Sequence, residues 1–248
     1  MKLRSMSNAL VVIPTYNEIE NIEPLLRDII LLQRDFDILV VDDNSPDGTS
    51  ALVEKLIIEY PDNIFLLKRT LKLGLGTAYI AGFKWALKRH YDFIFEMDAD
   101  FSHNPKDLLR LYSACENENC DMAIGSRYVT GVNVVNWPMN RVLLSWGASR
   151  YVRWITGMKI DDTTAGFICY RRHVLETINL DAIKFVGYAF QIEMKFKTYL
   201  SKFKIVEVPV IFTDRTKGTS KMSKGIISEA IFGVLTMKLK STFKILEI

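Results

Sequence analysis

Short, almost wholly apolar runs recurring through the first half of the chain limit its fold more than any other feature. They lie at 9–13, 38–41, 64–67 and 93–97, with a weaker one at 122–124. A half-solvated strand would alternate polar and apolar residues, so strands of this kind belong in a parallel sheet covered on both faces. Between the runs the apolar spacing turns helical. Ile22, Leu25, Leu26, Ile29 and Ile30 step by three and four, and Leu52, Leu56 and Ile57 do so behind Gly48-Thr49-Ser50. Asn104 and Pro105 predict an N-cap and first helical position ahead of Leu108, Leu109 and Leu111. Alternation of this period implies right-handed βαβ units, and so an α/β fold with a mostly parallel central sheet flanked by helices.

Beyond about residue 130 the alternation fails. The sequence there predicts a helix from Pro138 to Thr156 ended by Gly157, short runs at 167–170 and 205–212, and a helical last 25 residues. No repeat or linker divides the 248 residues, which read as one domain, 1–248, with an elaborated second half. With 49% hydrophobic and 25% charged residues there is material for a real core, which excludes a disordered or fibrous chain. Cys115, Cys120 and Cys169 offer neither a disulfide framework nor paired metal-ligand spacing, and fit a reducing compartment. No apolar run reaches the ~20 residues of a spanning helix, and no secretory signal is expected at the N-terminus.

The net charge of +3 hides an asymmetry, with +7 in residues 195–248 and −4 in the remainder. No acidic residue falls between Met122 and Ile160, a stretch holding Arg127, Arg141, Arg150, Arg153 and Lys159. A basic second half implies an anionic partner. No groove-reading motif accompanies it, so nucleic acid is not the expected one.

Ligands of open parallel sheets bind beyond the carboxyl ends of the strands. There the polar residues gather: Pro14-Thr15-Tyr16-Asn17-Glu18, then Asp42 to Thr49, then Asp98-Ala99-Asp100-Phe101-Ser102-His103, then Gly125-Ser126-Arg127-Tyr128. One such cluster is ordinary turn chemistry, whereas four on one rim point to a site. Asp98 and Asp100 at a strand end suit a hard divalent cation shared with a ligand's phosphates. His103 reads as a capping or packing residue. Asp43, Ser45, Asp47, Gly48 and Glu54 mimic a calcium loop, but the strand-like run before them and Pro46 inside it argue against one. Gly74-Leu75-Gly76 opens a helix yet has Tyr79 where a dinucleotide fingerprint needs its third glycine. Arg215 and Lys221, within Asp214 to Lys221, suit a diphosphate, the first as a fork and the second as a point charge.

Taken with Lys72 to Ala78 and Gly187 to Glu193, these motifs resemble, over nearly the whole chain, the dolichol-phosphate mannosyltransferases. That is an inverting family with the GT-A nucleotide-diphospho-sugar transferase fold, and the likeness is to its short catalytic-subunit type. The resemblance implies GDP-mannose as donor, a polyprenyl (dolichyl) phosphate as acceptor and Mg²⁺ or Mn²⁺ as cofactor. It divides the domain into a nucleotide-binding half, 9–130, and an acceptor- and lipid-facing half, 131–248. Carried over by motif, Pro14, Tyr16, Glu18, Val41 and Asp43 line the guanosine. Asp98, Ala99 and Asp100 face the metal and diphosphate, with Asp100, Asp98 and Ser102 as metal ligands. Arg127, Arg215 and Lys221 hold phosphates of donor or acceptor. The implied catalytic group is Asp98, Asp100, Arg127 and Arg215. The same resemblance implies peripheral attachment at the cytoplasmic face of a membrane and admits small membrane-anchoring subunits as partners. Trp137, Trp146 and Trp154, interleaved with arginines at helical spacing, fit a helix lying among lipid headgroups. The readings set against this one are transfer of another sugar, such as glucose, and a non-catalytic nucleotide-sugar-binding module.

Overall fold

The computed structural model describes residues 7–118, 120–214 and 224–243, without the side chains of Tyr188 and of 224–231. Its first half alternates as the apolar runs require: β1 (Ala9–Thr15), α1 (Ile19–Ile30), β2 (Asp37–Asp42), α2 (Thr49–Glu59), β3 (Ile64–Lys68), α3 (Leu75–Leu87), β4 (Phe93–Glu96), α4 (Asp107–Asn117) and β5 (Met122–Ser126). The second half adds β6 (Val134–Val135), α5 (Met139–Thr156), β7 (Ile168–Arg171), α6 (Arg172–Thr177), α7 (Tyr188–Leu200), β8 (Ile205–Pro209), β9 (Phe212–Thr213) and α8 (Lys224–Thr242).

Seven strands form one sheet in the order β3-β2-β1-β4-β7-β5-β8. All neighbours run parallel except β7, which is antiparallel to both β4 and β5. The chain leaves β5 at the rim and stays there through α5 and the loop after it. Gly125 N–H donates to Phe167 O (2.8 Å) just before β7 begins, so β7 starts at the rim and runs back down.

Continuous apolar strands serve two cores, one per face. In β1, Leu10 and Val12 face the core shared with α3, α5, α6, α7 and α8, while Ala9, Val11 and Ile13 face that shared with α1, α2 and α4. Gly82 on α3 lets helix and sheet approach closely: a Cβ there would lie 2.4 Å from Val12 Cγ1. Gly82→Ala is therefore expected to cost about 1–3 kcal/mol in chemical denaturation.

Two boundaries differ from the sequence reading. Helix α4 begins at Asp107, with Asn104 and Pro105 in the turn ahead of it, where the Asn104 side chain accepts from Lys106 N–H (3.0 Å) as a capping residue does. The run at 205–212 divides because Val210 N–H still bonds to the sheet at Ser126 O (3.0 Å), whereas Phe212 joins β6 in a separate two-stranded ribbon. The helix read from Pro138 to Thr156 is present, capped by Gly157 at φ +80°.

Candidate active site

In the sheet, β2 and β3 lie on one side of β1 and β4 on the other, so the βα connections diverge and leave a crevice at the carboxyl ends of β1 and β4. The predicted residues meet around it in two adjoining groups.

The first follows β1 and β2. Pro14, Tyr16 and Glu18 are half-buried, and Lys72 Nζ stands 3.8 Å above the Tyr16 ring. Asp43 is buried, its N–H donating to Thr15 O (3.0 Å) and its carboxylate facing Arg69 at 3.0 Å. Burial raises its pKa against the pull of Arg69. Asp42 has a different task. It accepts from Thr15 Oγ1 (2.8 Å), from Ser45 N–H and Oγ, and from Ser50 Oγ (2.7 Å). Burial pushes its pKa up, and the bonds from Ser45, Ser50 and Thr15 outweigh that and hold it below the usual carboxylate value. Asp42 thus builds the loop that presents Asp43. The side chains of Val41 and Ala99 are packed in the cores.

The second group lines a cavity of about 480 Å³. Asp98, Asp100, Ser102 and His103 after β4, and Arg127 after β5, form its polar wall, while Leu143, Leu144, Ala148 and Tyr151 of α5 and Ile192 of α7 form an apolar one. Pro14, Tyr16, Glu18, Val41 and Asp43 are not part of its lining. Asp100 is buried and accepts from Ser102 N–H (3.1 Å) across a turn made at Phe101, φ +59°. Ser102 Oγ is buried and has no hydrogen-bond partner among the described residues. Two carboxylates and an orphaned hydroxyl are the hard oxygen donors that Mg²⁺ or Mn²⁺ takes. No group of three or more His, Cys, Asp or Glu side chains able to hold a metal occurs among the described residues. A cation here would complete its shell from substrate and water. The residues present fit such an ion.

Arg127 is more deeply engaged than its motif suggested. Its Nε and Nη2 both donate to Asp162 at 2.6 Å, Nη2 also reaches Thr164 Oγ1 (2.8 Å), and its backbone N–H meets Asp162 at 3.0 Å. Burial would raise the Asp162 pKa, and Arg127 holds it below the usual value instead. The Glu207 carboxylate accepts the N–H groups of Asp161 (2.6 Å) and Asp162 (2.8 Å), so this loop is fixed from β8. Beneath the cavity, fully buried Glu96 accepts from Tyr170 OH (2.9 Å) and the Gln191 amide. Lys195 donates to Ala165 O (2.5 Å) and Gln191 O (3.3 Å). Burial raises Glu96 and lowers Lys195.

Sequence reasoning gave Asp162 no role, read Arg141 only as part of the basic stretch, and set Trp137 on the lipid-facing helix; Trp137 instead precedes α5 and stands in the cavity wall against Phe212. Arg141 lies in the cavity wall, its guanidinium carbon 4.1 Å from the Trp137 ring centre and its Nη1 2.8 Å from Asp214. The acid-free window was the signal for it. His103 packs as read, its ring stacked on Phe167 at 4.8 Å. Arg215 and Lys221 lie outside the described residues.

A sequence profile of glycosyl transferase family 2 matches residues 10–178. The chain is 48% identical to the polyprenol monophosphomannose synthase of Mycolicibacterium smegmatis, over 94% of this chain and 87% of that one. It is 48% identical to the undecaprenyl-phosphate mannosyltransferase of Micrococcus luteus, over 91% of each. With the dolichol-phosphate mannosyltransferase of Pyrococcus furiosus it shares 41% identity over 88% of this chain and 60% of the longer relative. Among solved structures, glucosyl-3-phosphoglycerate synthase from Mycobacterium tuberculosis with Mn²⁺ and UDP superposes with a TM-score of 0.64 at 17% identity, over 94% of this chain and 78% of that one. A mannosyltransferase from Pyrobaculum calidifontis with GDP-Man and Mn²⁺ gives 0.61 at 17%, over 96% and 64%. These likenesses carry the fold, which is GT-A-like. With its family profile and near-full-length relatives in agreement, the chain belongs to glycosyl transferase family 2 and is a glycosyltransferase.

Proposed function

We propose that the enzyme transfers mannose from GDP-mannose to a polyprenyl phosphate, with inversion at the anomeric carbon and Mg²⁺ or Mn²⁺ as cofactor. One observation carries this reading: a single cavity with carboxylates and guanidinium on its sheet side and hydrocarbon on its α5 side. Such a cavity suits an acceptor that is phosphate at one end and isoprenoid at the other. The names of the relatives point to the same acceptors.

On this reading Pro14, Tyr16, Glu18 and Asp43 form the nucleoside side, to which Val41, its side chain in the core, adds only backbone. Asp98, Asp100 and the backbone of Ala99 would meet the diphosphate, and Asp98, Asp100 and Ser102 would hold the cation. When bound, the cation supplies positive charge to the departing GDP. Arg127, with Arg141 beside it, holds the acceptor phosphate, and motif alone adds Arg215 and Lys221 to the phosphate grip. A lipid phosphate with a second pKa near 6 is already an anionic nucleophile at neutral pH. The protein then has to align that oxygen behind the anomeric carbon and stabilise the leaving group, without a strong base.

The surface beside the cavity fits a lipid acceptor. Along α5, Met139, Leu143, Trp146 and Trp154 are exposed, Trp154 by 82%, with Arg150 among them. On α8, which packs against α5, Phe232, Leu235 and Leu239 are exposed at helical spacing, followed by exposed Phe243 just past its end. No described helix is long and apolar enough to cross a membrane. The two helices are read as resting on the cytoplasmic face of one, where interfacial Trp and basic side chains are favoured. Trp146→Glu is therefore expected to cut turnover of long-chain acceptors about tenfold, from the lost apolar contact and the added charge, and to spare short soluble analogues. Equal losses on both would assign Trp146 to packing.

The test of the reaction is a transfer assay with radiolabelled nucleotide sugars and a polyprenyl phosphate, with and without Mn²⁺. Metal-dependent β-mannosyl lipid from GDP-mannose supports the proposal. Glucosyl lipid from UDP-glucose alone replaces the donor, and nucleotide binding without transfer favours a binding module.

A further inference from the structure

Asp98 is braced from behind by Tyr79, a residue noted in the sequence only as the break in a dinucleotide fingerprint. Its Oδ1 accepts a hydrogen bond from the Tyr79 hydroxyl at 3.1 Å, and Tyr79, on α3, is fully buried and outside the cavity lining. The Tyr79 ring is stacked between Phe83 (centroids 6.1 Å apart, planes at 24°) and Phe190 (6.0 Å, 4°). Phe190 is in turn wedged against Gly76, where a Cβ would come within 2.7 Å of its ring. The phenol therefore has little freedom to turn away. A tyrosine hydroxyl is protonated at neutral pH, so it stands as a donor to the carboxylate. The other oxygen, Oδ2, lies 3.7 Å from His103 Nε2, too long for a hydrogen bond. Oδ2 also borders Gly166 in the cavity wall, where a Cβ would sit 3.9 Å from it.

We infer that Tyr79 is a positioning residue of the transfer reaction: it fixes the Asp98 side chain with Oδ2 turned to the cavity, and through Asp98 it sets the geometry offered to the cation and diphosphate. The inference rests on the preceding assignment of Asp98. Its physical basis is preorganisation. The Asp98 side chain is 34% exposed at the strand end, and a donor held rigidly in the core favours one of its rotamers before any ligand arrives. Groups that orient ligating carboxylates from behind are typically worth about 10–100-fold in metal affinity or activity.

Tyr79→Phe keeps the aromatic stack and removes one oxygen. Mn²⁺ binding in the presence of GDP, followed by electron paramagnetic resonance, is expected to weaken about tenfold. In the same variant kcat should fall while KM for the lipid acceptor stays put. In an Asp98→Ala background Tyr79→Phe should change Mn²⁺ binding no further, since its route of action is gone. Wild-type Mn²⁺ affinity in Tyr79→Phe, or an equal loss in both backgrounds, overturns the inference and assigns Tyr79 to packing alone. A wild-type protein that binds no Mn²⁺ with GDP overturns the assignment of Asp98 first, and this inference with it.

Discussion

Asp100→Ala is expected to lower metal-dependent transfer by roughly a hundred- to a thousandfold, the range seen when charge stabilisation at a reacting centre is removed. The fold should survive. Asp100 stands on the rim after β4 and braces one turn through the Ser102 N–H, a bond worth about 1 kcal/mol of stability. Its cores lie below that turn and do not depend on the carboxylate. Circular dichroism and GDP-mannose turnover over a Mn²⁺ titration check the two halves of the expectation. Unchanged rates would remove the cation-binding role from Asp100.

Asp162→Asn should have the largest effect on stability. The substitution leaves the Arg127 guanidinium buried without its counter-charge, and breaking such a pair typically costs about 3–5 kcal/mol. Its pH dependence has a definite sign. The folded-state pKa of Asp162 is depressed, so its stabilisation is present above the unfolded carboxylate value of about 4 and is lost as pH falls through the folded value. The stability gap between wild type and variant, from denaturant midpoints, should be full at pH 7 and shrink as pH drops below about 4. A gap that is constant with pH would mean that Asp162 acts through the shape of its loop. Turnover should fall as well, because Arg127 stands in the cavity wall.

The parallel half of the fold was legible because each strand faces two cores. Ile38 and Val40 are needed on one side of β2 and Leu39 and Val41 on the other, which leaves no polar position inside the strand. Asp98 and Asp100 stood out for the complementary reason, as carboxylates at the point where such a strand must end. The pairing of Arg127 with Asp162 was hidden. It joins residues 35 apart in sequence, with β6 and α5 between them, and no local period records it. The role of α5 was legible only in outline. Its apolar residues occur on several sides because one side lines the cavity while Met139 and Trp154 face outward, so a single amphipathic stripe never emerges. The antiparallel course of β7 likewise depends on where the preceding loop leaves the chain, which side-chain spacing does not encode. The division of labour between Asp42 and Asp43 follows from which carboxylate Ser45 and Ser50 can reach, a matter of turn geometry.

Anomalous scattering at the manganese edge, from crystals soaked with Mn²⁺ and GDP, decides whether the carboxylates after β4 hold a cation. One peak is expected within bonding distance of the Asp100 carboxylate, with the diphosphate density beside it at the ends of β1 and β4. A nucleotide bound there with no ion beside Asp100, or a manganese peak elsewhere on the protein, would contradict that expectation.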